Sequence, residues 1–179
     1  MKISEDQWFR HPSEFRLPPS AFSLPFDNFS LHHYNGRMTE TNSHYSLIDH
    51  TADLGVRIWG VDLQTLFENG GKTLMHLMLR GETLKKALPK KIRLSGDDLA
   101  DLMVRWLGEL HYLLEGEKLV ATSIRIVHVT PTCLEAALKT VPFDPEFHEI
   151  LTEIKAVTYH QIEVMQKGDR WEAQVIFDL

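Results

Sequence analysis

The chain has 179 residues, 43% hydrophobic and 25% charged, which is the size and balance of one globular domain with a sizeable core. A net charge of −6 excludes a protein that grips nucleic acid mainly through phosphates, because such a protein needs an excess of Lys and Arg. The single cysteine, Cys133, excludes an intrachain disulfide framework and points to a reducing, cytoplasmic setting; no apolar run approaches the ~18 residues of a membrane span.

Residues 1–43 differ in composition from everything after them. They hold Pro12, Pro18, Pro19 and Pro25, half of the eight prolines, together with five of the nine phenylalanines, Phe9, Phe15, Phe22, Phe26 and Phe29. Prolines at that density block helix and ladder alike, so an extended, loosely ordered N-terminal extension is expected, with the globular domain spanning 44–179. The extension lacks the basic start, apolar stretch and cleavage site of a secretory signal. Met38 is a second candidate start.

His44 to Ile48 reads as a first strand, which leads into an acidic turn carrying Asp49, His50 and Asp53. Val56 to Trp59 then forms a second strand ended by Gly60. Asp62 is placed to cap a helix whose Leu63, Leu66, Phe67, Leu74, Leu77 and Met78 line one face, ending near Gly81. Gly70 and Gly71 inside it imply close packing against a neighbour. Lys90–Leu94 alternates as a half-exposed strand, and a second helix begins at Ser95–Asp98, with Ser95 or Asp97 as cap. Leu99, Leu102, Met103, Trp106, Leu107, Leu110, Leu113 and Leu114 make its broad apolar stripe, and Gly116 stops it. Leu119–Thr130 and Cys133–Val141 read as paired strands, with Cys133 a buried free thiol. Pro142–Glu146 reads as a turn. Thr158–Gln166 and Trp171–Phe177 read as a hairpin about Lys167-Gly168-Asp169. Two helices against a mostly antiparallel or mixed sheet make a single α+β domain.

Arg80, Lys85, Lys86, Lys90, Lys91 and Arg93 form a basic stretch with one acid, Glu82. It is either a solvated edge or a docking patch for RNA or an acidic partner. Walker loops, GxGxxG, GxSxG and HExxH are absent, and one cysteine cannot build a structural zinc site. Hard-metal chemistry remains open, since it needs only carboxylates and carbonyls. The oxygen donors on offer are Asp49, Asp53, Asp178 and Leu179, whose α-carboxylate adds a further anion at the chain end. Such a set suits Mg²⁺, Mn²⁺ or Ca²⁺ better than zinc.

DHTADLGVRIWG and the following LQTLFENGGKTLMHLM, then HEILTEIKAVTYHQIEV over 148–164 and the terminal WEAQVIFDL, resemble the archease family over roughly Tyr45 to Leu179. That resemblance implies a small α+β protein that binds a divalent metal (Ca, Mg or Mn) through the aspartate of the TAD triplet and the last two residues, here Asp53, Asp178 and Leu179. It leaves Asp49 and His50 to support the turn and carries over Lys155 and His160 as functional side chains near the metal. It further implies a cytoplasmic accessory protein of an RtcB-type RNA ligase, promoting guanylylation of the ligase and its repeated turnover in tRNA splicing and RNA repair. RNA and GTP would be reached only through the ligase, and the protein would not be a catalyst by itself. Two other readings of the same acids stand beside it: a metal-dependent hydrolase or nuclease acting alone, and a passive, chaperone-like binding module.

Overall fold

A computed structural model of the chain describes residues 41, 42, 44–48, 53–81 and 85–179. The expected N-terminal extension thus lies, but for Thr41 and Asn42, outside the described residues. In chain order the elements are β1 (Thr41–Asn42), β2 (Tyr45–Ile48), β3 (Leu54–Gly60), α1 (Leu63–Met78), β4 (Leu79–Gly81), β5 (Leu88–Ser95), α2 (Leu99–Glu115), β6 (Leu119–Thr130), β7 (Cys133–Pro142), β8 (His148–Ile150), β9 (Ala156–Val157), β10 (Glu163–Lys167) and β11 (Arg170–Asp178). The α+β expectation holds. Among the described residues the strands divide into three antiparallel ladders: a six-stranded sheet in the order β1-β2-β3-β11-β10 with β9 also on β11, a three-stranded sheet β5-β7-β6, and the short pair β4-β8.

The helices lie between the two larger sheets. Helix α1 packs on β3 and β11 on one side and on β6 on the other, while α2 meets β9 and β10 as well as β5, β6 and β7. Both begin on aspartates that satisfy otherwise orphaned N–H groups. The Asp62 side chain accepts from the Thr65 N–H at 2.7 Å. At α2 the cap is Asp98, not Ser95 or Asp97: Asp98 accepts from the Asp101 N–H at 2.8 Å, and Asp101 reaches back to the Asp97 N–H at 2.9 Å. That reciprocal arrangement satisfies two donors at once, and Ser95 is already committed to β5. Helix α1 ends at Met78, three residues short of Gly81, because Leu79–Gly81 pairs with His148–Ile150.

Gly70 and Gly71 sit where the helices cross. A Cβ on Gly70 would lie 3.2 Å from the Met103 sulfur, and one on Gly71 would lie 2.8 Å from Leu110 Cδ1. The buried Trp106 indole N–H donates to the Phe67 carbonyl at 2.9 Å, so the ring is core with its one polar atom satisfied. Seven of the eight residues of the predicted α2 stripe are buried; Leu99 is only half-buried, and Val104 joins the core instead. Helix α1 meets the outer edge of β6 at Ile126: Gln64 Nε2 donates to the Ile126 carbonyl at 3.1 Å, and the Ile126 N–H donates to Glu68 Oε1 at 3.0 Å. Two side chains one helical turn apart thus satisfy the outward N–H and carbonyl of one residue on that edge.

Two local expectations are corrected. Thr158–Gln166 is not one strand. Only Glu163–Lys167 is, because Gln161 takes a left-handed conformation (φ 52°) and the chain turns between β9 and β10. Cys133 is half-buried rather than buried, since it opens β7 beside the Pro131-Thr132 turn. In the basic stretch, four of the six cations meet acids from elsewhere in the fold: Arg80 meets Glu149 (2.8 Å), Lys85 Asp144 (2.6 Å), Lys90 Glu117 (2.5 Å) and Arg93 Glu135 (3.3 Å).

Two stability predictions follow from this packing. The first concerns Gly60, at the end of β3, which lies under the first turn of α1. A Cβ there would sit 2.8 Å from the Leu66 Cα and the Thr65 carbonyl carbon, atoms that cannot rotate away. Gly60→Ala should therefore cost about 2 kcal/mol or more in denaturant unfolding. The second concerns Thr73 Oγ1, which is buried and has no hydrogen-bond partner among the described residues. Thr73→Val keeps the shape and removes the unsatisfied hydroxyl, so unfolding should require about 1 kcal/mol more than in the parent chain.

Candidate functional site

The ladder between β3 and β11 sets the geometry of the site. Its pairs run from Trp171 opposite Gly60 to Phe177 opposite Leu54. Inside the ladder, Ile58 with Ala173, Val56 with Val175 and Leu54 with Phe177 are cross-strand neighbours in the core. The strands are antiparallel, so the start of β3 and the end of β11 share one end of the sheet. Asp53 is one position before Leu54 and Asp178 one position after Phe177, so two residues 125 positions apart in sequence both lie one position beyond the last rung of the ladder. Asp53 is half-buried in the bend that opens β3; Asp178 and Leu179 are exposed.

Lys155 completes this end of the sheet. Its backbone N–H donates to the Asp178 carbonyl at 2.9 Å, and its Nζ donates to a terminal oxygen of Leu179 at 2.5 Å. The side-chain bond is charge-assisted, an ammonium on the α-carboxylate of the chain. Strand β9 follows at once, with Ala156 opposite Asp178 and Val157 opposite Phe177. Thr158 then donates twice to the Ile176 carbonyl, from its N–H at 3.1 Å and its hydroxyl at 2.9 Å. The chain terminus is therefore held between β3 on one side and the 155–158 segment on the other. His160 lies in the exposed turn beyond β9, its N–H donating to the Thr158 hydroxyl at 3.3 Å.

Of the residues singled out by sequence, Lys155, Asp178 and Leu179 are in direct contact, and Asp53 joins them by register. His160 is on the adjoining turn, and Asp49 and His50 lie outside the described residues. Thr158 was not singled out; nothing in its local sequence marks a residue that braces the terminus two positions upstream. Asp53, Asp178 and the Leu179 α-carboxylate offer only oxygen, with neither thiolate nor imidazole among them. That donor set fits a hard divalent cation such as Mg²⁺, Mn²⁺ or Ca²⁺. Among the described residues, no three side chains of His, Cys, Asp or Glu are grouped to hold a metal. Among the described residues, the Leu179 α-carboxylate is the further oxygen donor offered beside Asp53 and Asp178. The described helices include none long and apolar enough to cross a membrane.

Residues 45–179 match the Archease protein family (MTH1598/TM1083). Among curated relatives, the protein archease of Methanosarcina acetivorans is 32% identical over 146 residues, covering 79% of this chain and all of that protein. The archease of Pyrococcus furiosus is 33% identical over 135 residues, covering 73% of this chain and 95% of its own. Among solved structures, protein 1598 of Methanobacterium thermoautotrophicum superposes with a TM-score of 0.62 at 25% identity, over 77% of this chain and all of that one. The fold is also that of an archease, a possible chaperone, from Thermotoga maritima, with a TM-score of 0.52 at 21% identity over 83% of this chain. The match reaches from β2 to the last residue and so includes both halves of the site at the β3–β11 end, and on it the chain belongs to the archease family.

Proposed function

We propose that this archease binds a divalent cation through Asp53, Asp178 and the Leu179 α-carboxylate, and that with it the protein activates an RtcB-type RNA ligase in tRNA splicing or RNA repair. The single observation that carries the reading is that Asp53 and the chain terminus both adjoin the last rung of the β3–β11 ladder, Leu54 opposite Phe177, with Lys155 bonded to that terminus. Gathering three carboxylates at one sheet end is electrostatically unfavourable by itself. Such a concentration of anion is retained where a cation is to be received. The Lys155 ammonium offsets part of the repulsion and fixes the orientation of the α-carboxylate. His160, exposed on the next turn, belongs to the proposed surroundings of the site, and Asp49 and His50 are proposed to support it.

When bound, the cation supplies positive charge able to stabilise phosphate oxygens during transfer of a guanylyl group to the ligase. This chain's own contribution is positional. The exposed terminus forms the leading edge of the site, and β3, β11 and β9 hold it rigidly enough to be presented to the active site of a partner. RNA and GTP then meet the ligase rather than this chain, in keeping with a net charge of −6. The protein accordingly acts as an activator and not as a catalyst by itself, in a cytoplasmic setting where RNA is spliced and repaired.

The test uses two variants that touch opposite ends of the sequence. Asp53→Ala removes the donor at the start of β3. One residue appended after Leu179 turns its α-carboxylate into a peptide carbonyl and moves the terminal charge outward. Both should fold normally, lose Mn²⁺ or Ca²⁺ affinity by about tenfold or more in calorimetric titration, and fail to stimulate ligase guanylylation. Full stimulation of the ligase by either folded variant rules the proposal out. Metal-dependent cleavage of RNA or nucleotides by the purified protein alone would replace it with the hydrolase reading.

A further inference from the structure

The terminus that carries Asp178 and Leu179 is braced by residues 155–158, but β9 is a two-residue strand at that end of the sheet and could not hold itself there. Its support comes from α2, at two points. Upstream, His111 Nε2 bonds to the carbonyl of Ile154, itself buried, at 2.6 Å. Downstream, the Tyr159 hydroxyl donates to Asp101 Oδ1 at 2.5 Å. Asp101 and His111 are ten residues apart on α2, about 15 Å along its axis. Ile154 and Tyr159 are five residues apart in extended chain, about 16 Å. The two spans match, so the segment lies along the helix, opposite in direction, and is fastened at both ends.

We infer that Tyr159 and Asp101 are positioning residues for the chain terminus: their bond closes a strap, residues 154–159, which holds Asp178 and Leu179 in place from the side opposite β3. Asp101 is well suited to the task. It is itself fixed by the Asp97 N–H at 2.9 Å and the Arg105 guanidinium at 2.7 Å, so the tyrosine is tied to an immobile carboxylate in the first turn of a long, well-packed helix. The same contacts hold the Asp101 carboxyl down to about 2, the hydroxyl of Tyr159 contributing most, so it accepts as an anion throughout the neutral range. Tyr159 is 58% exposed, so a core role does not account for its ring and the hydroxyl is its anchored part. The inference deepens the proposed function and rests on it only for what the terminal carboxylates bind.

The experiment compares the full chain with Tyr159→Phe and with Tyr159→Phe/Asp101→Asn, by amide hydrogen exchange and by Mn²⁺ titration followed by electron paramagnetic resonance. The amides read are those of Lys155 and Thr158, whose acceptors are the Asp178 and Ile176 carbonyls. In Tyr159→Phe they should exchange about tenfold faster, while buried α2 amides and the melting temperature stay as in the parent. Mn²⁺ affinity should fall about tenfold, and the second substitution should add little at these amides, since the tyrosine bond is already gone. Unchanged exchange at Lys155 and Thr158 overturns the inference, as does faster exchange with undiminished Mn²⁺ affinity. Faster exchange in the variant, with no Mn²⁺ bound even by the parent, upholds the strap and removes the metal reading instead. Should Tyr159→Phe fail to fold, Asp101→Ala alone, which removes the acceptor of the tyrosine hydroxyl, is read by the same two measurements.

Discussion

The antiparallel register of β3 on β11 is the constraint on which the rest of the molecule depends. It joins the first third of the domain to its last residue, and it supplies the core floor on which α1 rests. Ile58, Val56, Ala173, Val175 and Phe177 are all buried, and their burial holds the register. A slip of one residue would turn each of these side chains to the other face and would shift Asp178 relative to Asp53. The hydrophobic core thus specifies the site indirectly: apolar pairs inside the ladder decide which carboxylates meet beyond its end.

The second feature is how little regular structure the site itself contains. Asp53 is in a bend, Leu179 is the last residue, and Lys155 precedes a strand of two residues. Segments of this kind ordinarily fray. Here their backbone groups are individually satisfied: the Asp178 carbonyl by Lys155, the Ile176 carbonyl by Thr158, the Ile154 carbonyl by His111. An exposed terminus is kept in one place by hydrogen bonds to elements with deep cores. That is the arrangement expected of a group that must be both accessible and precisely held.

Charge is managed in the same economical way across the surface. The basic stretch around β5 meets acids from β7, β8 and the loops that follow α2 and β7, so cations adjacent in sequence are dispersed among partners distant in sequence. Glu172, buried on β11, is flanked by Lys167 at 2.9 Å and by Arg170, whose guanidinium also lies over the Trp59 ring. Lys167 and then Arg170 hold its carboxyl below the usual range against the opposing effect of burial. Gly168, with φ of 64°, makes the tight turn that brings both cations to it.

The sequence by itself determined the two helices, the long β6–β7 and β10–β11 hairpins and the identity of most core residues, because these follow from local periodicity, caps and turn residues. Asp62 and Gly116 marked helix ends without help from the fold, and the archease motifs pointed to Asp53, Asp178, Leu179 and Lys155 together. Only the tertiary structure decided what lies beyond the reach of a local pattern. The pairing of Leu79–Gly81 with His148–Ile150, and the break at Gln161, involve segments too short for alternation to reveal. The choice of Asp98 over Ser95 as cap depended on β5 having claimed the serine. The strap from Ile154 to Tyr159 depends on matching a helical rise of about 1.5 Å per residue to an extended one of about 3.3 Å, a coincidence of lengths visible only once both are laid side by side.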